Sequence, residues 1–298
     1  PKIRKKESAK LEASLITLGS SKCVCECLSI ETTVAILNKI GHRDIEIHIN
    51  SVGDKESMNE FQRKLSAHIK KNYNSFPANL RQALKKDSYA ILRNEKEEWK
   101  NWQTDCPKAV DFLSESSRAH FKEALEFLEI MEIPYLINHH LLGDHNISSE
   151  IIFSVQSGGE EVAKGFRFNR LAKKMGQKKD LPGTAVHINA RAQKVLKKSK
   201  IKNRRGQFYL VQFGLEAKLK SFIVLRELFK VGVPVVHAIA KDKLGSQMGV
   251  AENSGFPYII LIGQKEALEN SVVIRNTTTR AQETVPIGQI SAKVKELL

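Results

Sequence analysis

The sequence predicts an α+β chain in two parts: an N-terminal domain over residues 1–205 and a smaller α/β domain over residues 206–298. Three observations carry this. Alternating apolar and polar residues at 11–18 (LEASLITL) and 44–50 (DIEIHIN) read as strands around a helical stretch. Residues 194–206 (KVLKKSKIKNRRG) are dense in Lys and Arg, the pattern of an exposed linker. Beyond them, strands and helices alternate, which implies a small domain around a largely parallel sheet.

Taken in order, 29–40 (SIETTVAILNKI) has helical apolar spacing, with Ser29 as N-cap and Gly41 as C-cap. A long helical region follows over 54–73 and 78–130. It includes the amphipathic run RAHFKEALEFLEIMEI, opened by Ser114-Glu115-Ser116-Ser117. Strand signals return at 135–137, 150–156 and 184–188, and SGGEEVAKG (157–165) fits a hairpin turn. After the linker come a strand (208–214), a helix closed by Gly232 (215–232), a strand (233–240) and a helix ending at Gly255 (243–255). Strands at 257–263 and 271–276 and a closing helix (290–298) complete the chain.

Composition narrows the function. The chain carries 48 Lys+Arg against 33 Asp+Glu, a net charge of +15. Such an excess favours a polyanionic partner, because each neutralised phosphate releases condensed counterions. No apolar run approaches the ~20 residues of a membrane span, and the basic start lacks the apolar core of a signal peptide. Four cysteines suit a reduced, cytoplasmic protein. Cys23, Cys25 and Cys27 alternate and would share one face of a strand, but C-x-C-x-C is not a usual zinc spacing and no second ligand cluster follows.

The stretch HHLLGDHNISSEIIF (139–153) sets three histidines and an aspartate beside an apolar run. His139 and His140 are adjacent and would face opposite sides of a strand, while Asp144 and His145 fall in a turn. No metal is expected there. Neither a nucleophile elbow nor a phosphate-binding glycine loop is present.

The last ~90 residues resemble the anticodon-binding domain of several class II aminoacyl-tRNA synthetases. Asp242, Leu244, Gln247, Ala251, Gly255, Tyr258, Gly263 and Glu266 carry this, followed by Val273-Ile274-Arg275-Asn276 and Ala281-Gln282-Glu283. The upstream part resembles the histidyl-tRNA synthetase catalytic domain from the middle of motif 2 onward. It does so through KESAKL (6–11), IHINSVG (47–53), Asp105-Cys106-Pro107, Phe112-Leu113 and GFRFNRLAKKMG (165–176). The family's N-terminal third, with motif 1 and the first half of motif 2, has no counterpart, and residues are expected upstream. The resemblance implies a partial, class II synthetase-like antiparallel-sheet domain followed by a small α/β anticodon-binding-type domain.

Several family positions are altered. Asn138 to Phe153 aligns without a gap on the histidine-specific loop, and Gly143 stands where the family has an arginine. Lys10 replaces the motif 2 glutamine. Ala192 stands at the ATP-stacking arginine, with Arg191 one residue off and, on a helix, rotated about 100° away. Arg167 is retained in the second substrate loop. Loss of cationic groups removes what phosphoryl chemistry requires, and arginine at a bidentate site has no simple substitute.

The favoured reading is a synthetase-like protein without aminoacylation activity that binds tRNA or another structured RNA and needs no cofactor. Phosphate contacts are expected from Lys197, Lys198, Lys200, Lys202, Arg204 and Arg205 in the linker and from Lys241, Lys243 and Arg275 beyond it. The alternative is a genuine histidine–tRNA ligase using ATP and Mg. A second alternative is a regulatory subunit resembling the partner of ATP phosphoribosyltransferase. The resemblance also implies a homodimer.

Overall fold

The computed structural model describes residues 9–93, 97–194 and 206–298. The chain divides into two compact units, residues 1–196 and 197–298.

The first unit opens with strand β1 (Lys10–Leu18), helix α1 (Val24–Ile40), strand β2 (Ile45–Gly53) and helix α2 (Lys55–Asn72). Short helices α3 (Ala78–Lys86), α4 (Ala90–Arg93) and α5 (Lys100–Thr104) precede α6 (Glu115–Ile130), so the expected helical region over 78–130 is broken into pieces. Strands β3 (Tyr135–Ile137), β4 (Ser149–Ser157) and β5 (Glu160–Phe168), helix α7 (Leu171–Lys174) and strand β6 (Gly183–Arg191) complete the unit. The strands form one sheet in the order β1-β6-β5-β4-β2-β3, antiparallel throughout except for β2 against β3. Gly158 and Gly159, both with positive φ, make the two-residue turn between β4 and β5, as a tight hairpin requires.

The two faces of this sheet differ. Leu11, Ala13 and Leu15 of β1 share a face with Ala190, Ile188 and Val186 of β6. That face is covered by α1 and α6. The opposite face carries Ile152 of β4 beside Phe166 of β5. There an apolar cluster from residues 61–109, including Phe61, Leu80, Tyr89 and Trp99, closes over Val52 and Ile152. On β1 this second face is exposed, carrying Lys10, Glu12 and Ser14 and then the apolar Ile16 and Leu18, and Ser14 and His187 form a hydrogen bond of 3.2 Å on it.

Two local expectations are corrected. Helix α1 begins five residues before Ser29, and the Ser29 hydroxyl donates backward to the Cys25 carbonyl at 2.7 Å. This is the mid-helix alternative to capping open to a serine. The same extension puts Cys23, Cys25 and Cys27 at the start of a helix and not on a strand. All three are buried, with 3.8 Å between the sulfurs of Cys23 and Cys27. Gly41, at φ 106°, closes α1 in the left-handed conformation that favours glycine.

The starts of α2 and α6 are tied by reciprocal caps. Asp54 accepts from the Ser57 amide at 2.9 Å, and Ser114 accepts from the Ser117 amide at 3.3 Å. The Ser114 hydroxyl donates to Asp54 at 2.8 Å, and the Asp54 amide donates to the Ser117 hydroxyl at 3.0 Å. Burial opposes the Asp54 charge, but these donors outweigh it and hold the carboxyl below its ordinary range.

The second unit runs β7 (Phe208–Gln212), α8 (Leu215–Lys230), β8 (Val235–His237), α9 (Leu244–Asn253), β9 (Tyr258–Ile262), α10 (Gln264–Leu268), β10 (Ser271–Asn276), β11 (Gln282–Pro286) and α11 (Ile290–Glu296). Its sheet has the order β11-β10-β9-β7-β8. Strand β7 is parallel to β8 and β9, but β10 is antiparallel to β9 and β11. The sheet is therefore mixed and not largely parallel. The connection over 263–270 is shorter than the dozen or so residues that a parallel crossover requires. Every residue of β7 is buried, because apolar clusters pack on both of its faces.

Candidate functional site

Cross-strand pairing sets Ser149, Arg167, Thr184 and Thr17 in a row across β4, β5, β6 and β1, on the face under α1 and α6. Arg167 is fully buried, and its guanidinium grips both carboxylate oxygens of Glu26 on α1. Its other N–H groups donate to the carbonyls of Ser20 at 3.0 Å and Lys22 at 2.9 Å. His120 of α6 reaches Glu26 at 2.7 Å. Burial alone would lower the Arg167 pKa, yet the bond to Glu26 raises it above the ordinary value. Arg167 is thus spent within the fold, on the face away from the 138–148 loop.

Glu150, next to Arg167 in this cluster, is buried at φ 51°, and its Oε2 has no hydrogen-bond partner among the described residues. Burial pushes its carboxyl above the ordinary range. A hydrogen bond with Ser117 and the nearby His120 and Arg167 pull it down, while Asp54 adds to the rise.

The 138–148 loop lies on the second face. Asn50 of β2 donates to the Leu141 carbonyl at 3.0 Å, and Leu141 and Leu142 join the apolar cluster there. A Cβ at Gly143 would stand 2.2 Å from the Ser148 Oγ, 2.7 Å from its Cβ and 2.9 Å from Ile152 Cδ1. The space beside this glycine is filled, so no side chain enters without displacing the loop. Arg93 of α4 donates to the Gly143 carbonyl at 2.6 Å while pairing with Asp87 at 3.0 Å, and Lys174 of α7 donates to the Asn146 carbonyl. Asp144 accepts from the Asn146 amide at 2.8 Å.

His139 and His140 lie in this loop and not on a strand. The His140 ring contacts the Leu92 carbonyl at 3.2 Å, and His145 packs 5.7 Å from the Tyr89 ring. Among the described residues, no three His, Cys, Asp or Glu side chains are placed to hold a metal ion. No helix among them is long and apolar enough to cross a membrane.

Lys10 and Arg191 are direct cross-strand partners on the second face, both exposed, and Lys10 lies 3.6 Å from Glu12. Arg191 closes strand β6, which corrects the expectation of a helix there. A shift of one residue on a strand turns the side chain to the opposite face. Ala192 follows, its amide bonded to the Ala9 carbonyl at 2.8 Å. The structure thus sets Lys10, Arg191 and the Gly143 loop on one face and Arg167 on the other.

Lys197, Lys198, Lys200, Lys202, Arg204 and Arg205 lie outside the described residues. Lys241 and Lys243 are exposed between β8 and α9. Arg275, on β10, lies 3.8 Å from Glu252. Sequence reasoning passed over Glu26, His120 and Arg93. Glu26 stands in an apolar run, a signal that a partnered carboxylate is buried there.

Residues 207–297 match the family model described as an anticodon binding domain. The chain is 28% identical to the histidine–tRNA ligase of Listeria innocua over 93% of its own length and 67% of that protein's. It is 23% identical to the chloroplastic histidine–tRNA ligase of Porphyra purpurea, over 94% of this chain and 66% of that protein. The crystal structure of apo S. aureus histidyl-tRNA synthetase aligns at 19% identity with a TM-score of 0.49, over 98% of this chain and 78% of that one. The chain spans about two thirds of the length of the curated relatives it matches.

Two predictions follow from the buried cluster. Replacing Arg167 with Met is expected to destabilise the first unit by about 3–5 kcal/mol, because it leaves Glu26 buried and charged. The double change Glu26→Met/Arg167→Met should cost much less. Urea unfolding followed by Trp99 and Trp102, both in this unit, measures each. For Glu150, a raised native pKa means stability that is present below the unfolded pKa of about 4.3 and is lost as pH rises through the native value. Glu150→Gln should flatten that decline, and an unchanged pH slope would mean that the carboxyl is not perturbed.

Over most of its length the chain is thus similar to histidine–tRNA ligases, and it has a class II synthetase-like antiparallel-sheet domain followed by an α/β anticodon-binding domain.

Proposed function

We propose that this chain is a histidyl-tRNA synthetase-like protein that binds tRNA, or an RNA of similar structure, without activating histidine. The observation that carries the reading is the closed space at Gly143. At the position aligned with the family's arginine, Ser148 and Ile152 occupy the volume a side chain would need. The loop is packed around a glycine, so a side chain at this position would have to displace it. Arg93 approaches this residue, but its guanidinium is held by the Gly143 carbonyl and Asp87. Arg167 is held by Glu26, and Ala192 supplies no charge. Adenylation needs donors aimed at developing negative charge, and these three positions offer none.

RNA binding is supported by the anticodon binding domain match over 207–297 and by the net charge of +15. The second reading, a genuine ligase that takes ATP and Mg, is favoured by the 28% identity to a histidine–tRNA ligase over most of the chain. It requires other cations in place of those at Gly143 and Ala192.

A tRNA transcript with a histidine anticodon, titrated against the full chain at several salt concentrations, tests the binding half. Affinity should fall as salt rises, with a log–log slope of roughly −0.7 to −0.9 per phosphate contact. Neutralising Lys197, Lys198, Lys200, Lys202, Arg204 and Arg205 together should flatten that slope, as should neutralising Lys241 and Lys243. Arg275, already near Glu252, should matter less. Binding that ignores salt would contradict the reading.

A further inference from the structure

We propose that Gln212 and Gln247 are positioning residues for RNA: they lock the segment between β8 and α9 so that Lys241 and Lys243 meet phosphates in fixed places. The proposal rests on the RNA-binding reading above.

Both glutamines are buried, at 1% and 0% exposure. Gln212 ends β7 and Gln247 lies in the first turn of α9, so the segment over 238–243 runs between two anchored elements. The Gln212 side-chain amide donates to the carbonyls of Ile239 at 3.3 Å and Lys241 at 2.9 Å. The Gln247 side-chain amide donates to the carbonyls of Gln212 at 2.9 Å and Lys241 at 3.0 Å, and its oxygen accepts from the Gln212 backbone N–H at 3.2 Å. All four side-chain N–H groups are used, and the Lys241 carbonyl takes two of them.

A buried amide is costly unless satisfied, so a fully satisfied pair specifies one geometry. Here the geometry specified is that of the Lys241 backbone. Lys218 of α8 adds a third tether, at 2.9 Å to Asp242. This draws the one carboxylate between the two lysines toward α8. Lys241 and Lys243 themselves are exposed, and neither is paired with a carboxylate among the described residues. A cation on a fixed backbone loses less freedom on binding than one on a loose loop. The glutamines would therefore affect affinity without touching RNA.

The test is a double-mutant cycle on the full chain, with the tRNA transcript and salt titration as readout. Gln247→Met should weaken binding about tenfold and flatten the salt slope. In the Lys241→Ala/Lys243→Ala background the same change should add nothing. An unchanged affinity for Gln247→Met, with weakened binding by the lysine variant, overturns the proposal and leaves the RNA-binding reading standing. So does an equal loss in both backgrounds, which is what a general packing role predicts. No binding by the unmodified chain overturns both. Should Gln247→Met not fold, Lys218→Met takes its place. It should weaken binding by releasing Asp242, and Asp242→Asn should restore it. Equal affinity for Lys218→Met overturns the proposal.

Discussion

The Arg167 guanidinium sits fully buried against the Glu26 carboxylate, and the first unit is organised around that pair. Removing both charges from water costs several kcal/mol per ion, which only good geometry and further hydrogen bonds offset. Both are present: two bonds to the carboxylate, two more to the Ser20 and Lys22 carbonyls, and His120 on the remaining side of Glu26. The pair joins the centre of the sheet to α1, and His120 adds α6. It fixes which face of the sheet is closed. That leaves the 138–148 loop and the exposed polar residues of β1 and β6 on the other face.

This division decides what the retained and altered family positions can do. Arg167 matches a motif in sequence, yet its charge is consumed on the closed face. Gly143 lies on the opposite face, with Ser148 and Ile152 packed against it. Arg93 and Lys174 hold the loop through the Gly143 and Asn146 carbonyls. None of these residues lies in the second unit, so the RNA binding proposed for that unit is independent of the adenylation proposed to be lost.

Much of this was legible in the sequence. The period-two pattern of 11–18 and the Gly158-Gly159 turn each encode their structure locally, and both appear in place. What was not legible depended on partners far along the chain. Ser29 looks like a cap until Cys25 is seen to be helical and to accept its hydroxyl. The mixed sheet of the second unit is decided by the length of the 263–270 connection, which alternation alone does not register. Arg167 and Gly143 were recognised by alignment, but alignment carries no information on which face of the sheet each one occupies. Gln212, inside the apolar strand FYLVQFG, is satisfied by residues 27 and 35 positions away.

The central claim is that a fold closed around Gly143 cannot assemble the cations that histidine activation requires. Histidine-dependent ATP–pyrophosphate exchange tests it most directly, on the chain together with any residues that precede Pro1 in its gene. The account predicts exchange no faster than in the absence of histidine, from a preparation that still binds tRNA. Histidine-dependent exchange above that background would contradict it, and would require cations from elsewhere to act where Gly143 and Ala192 stand.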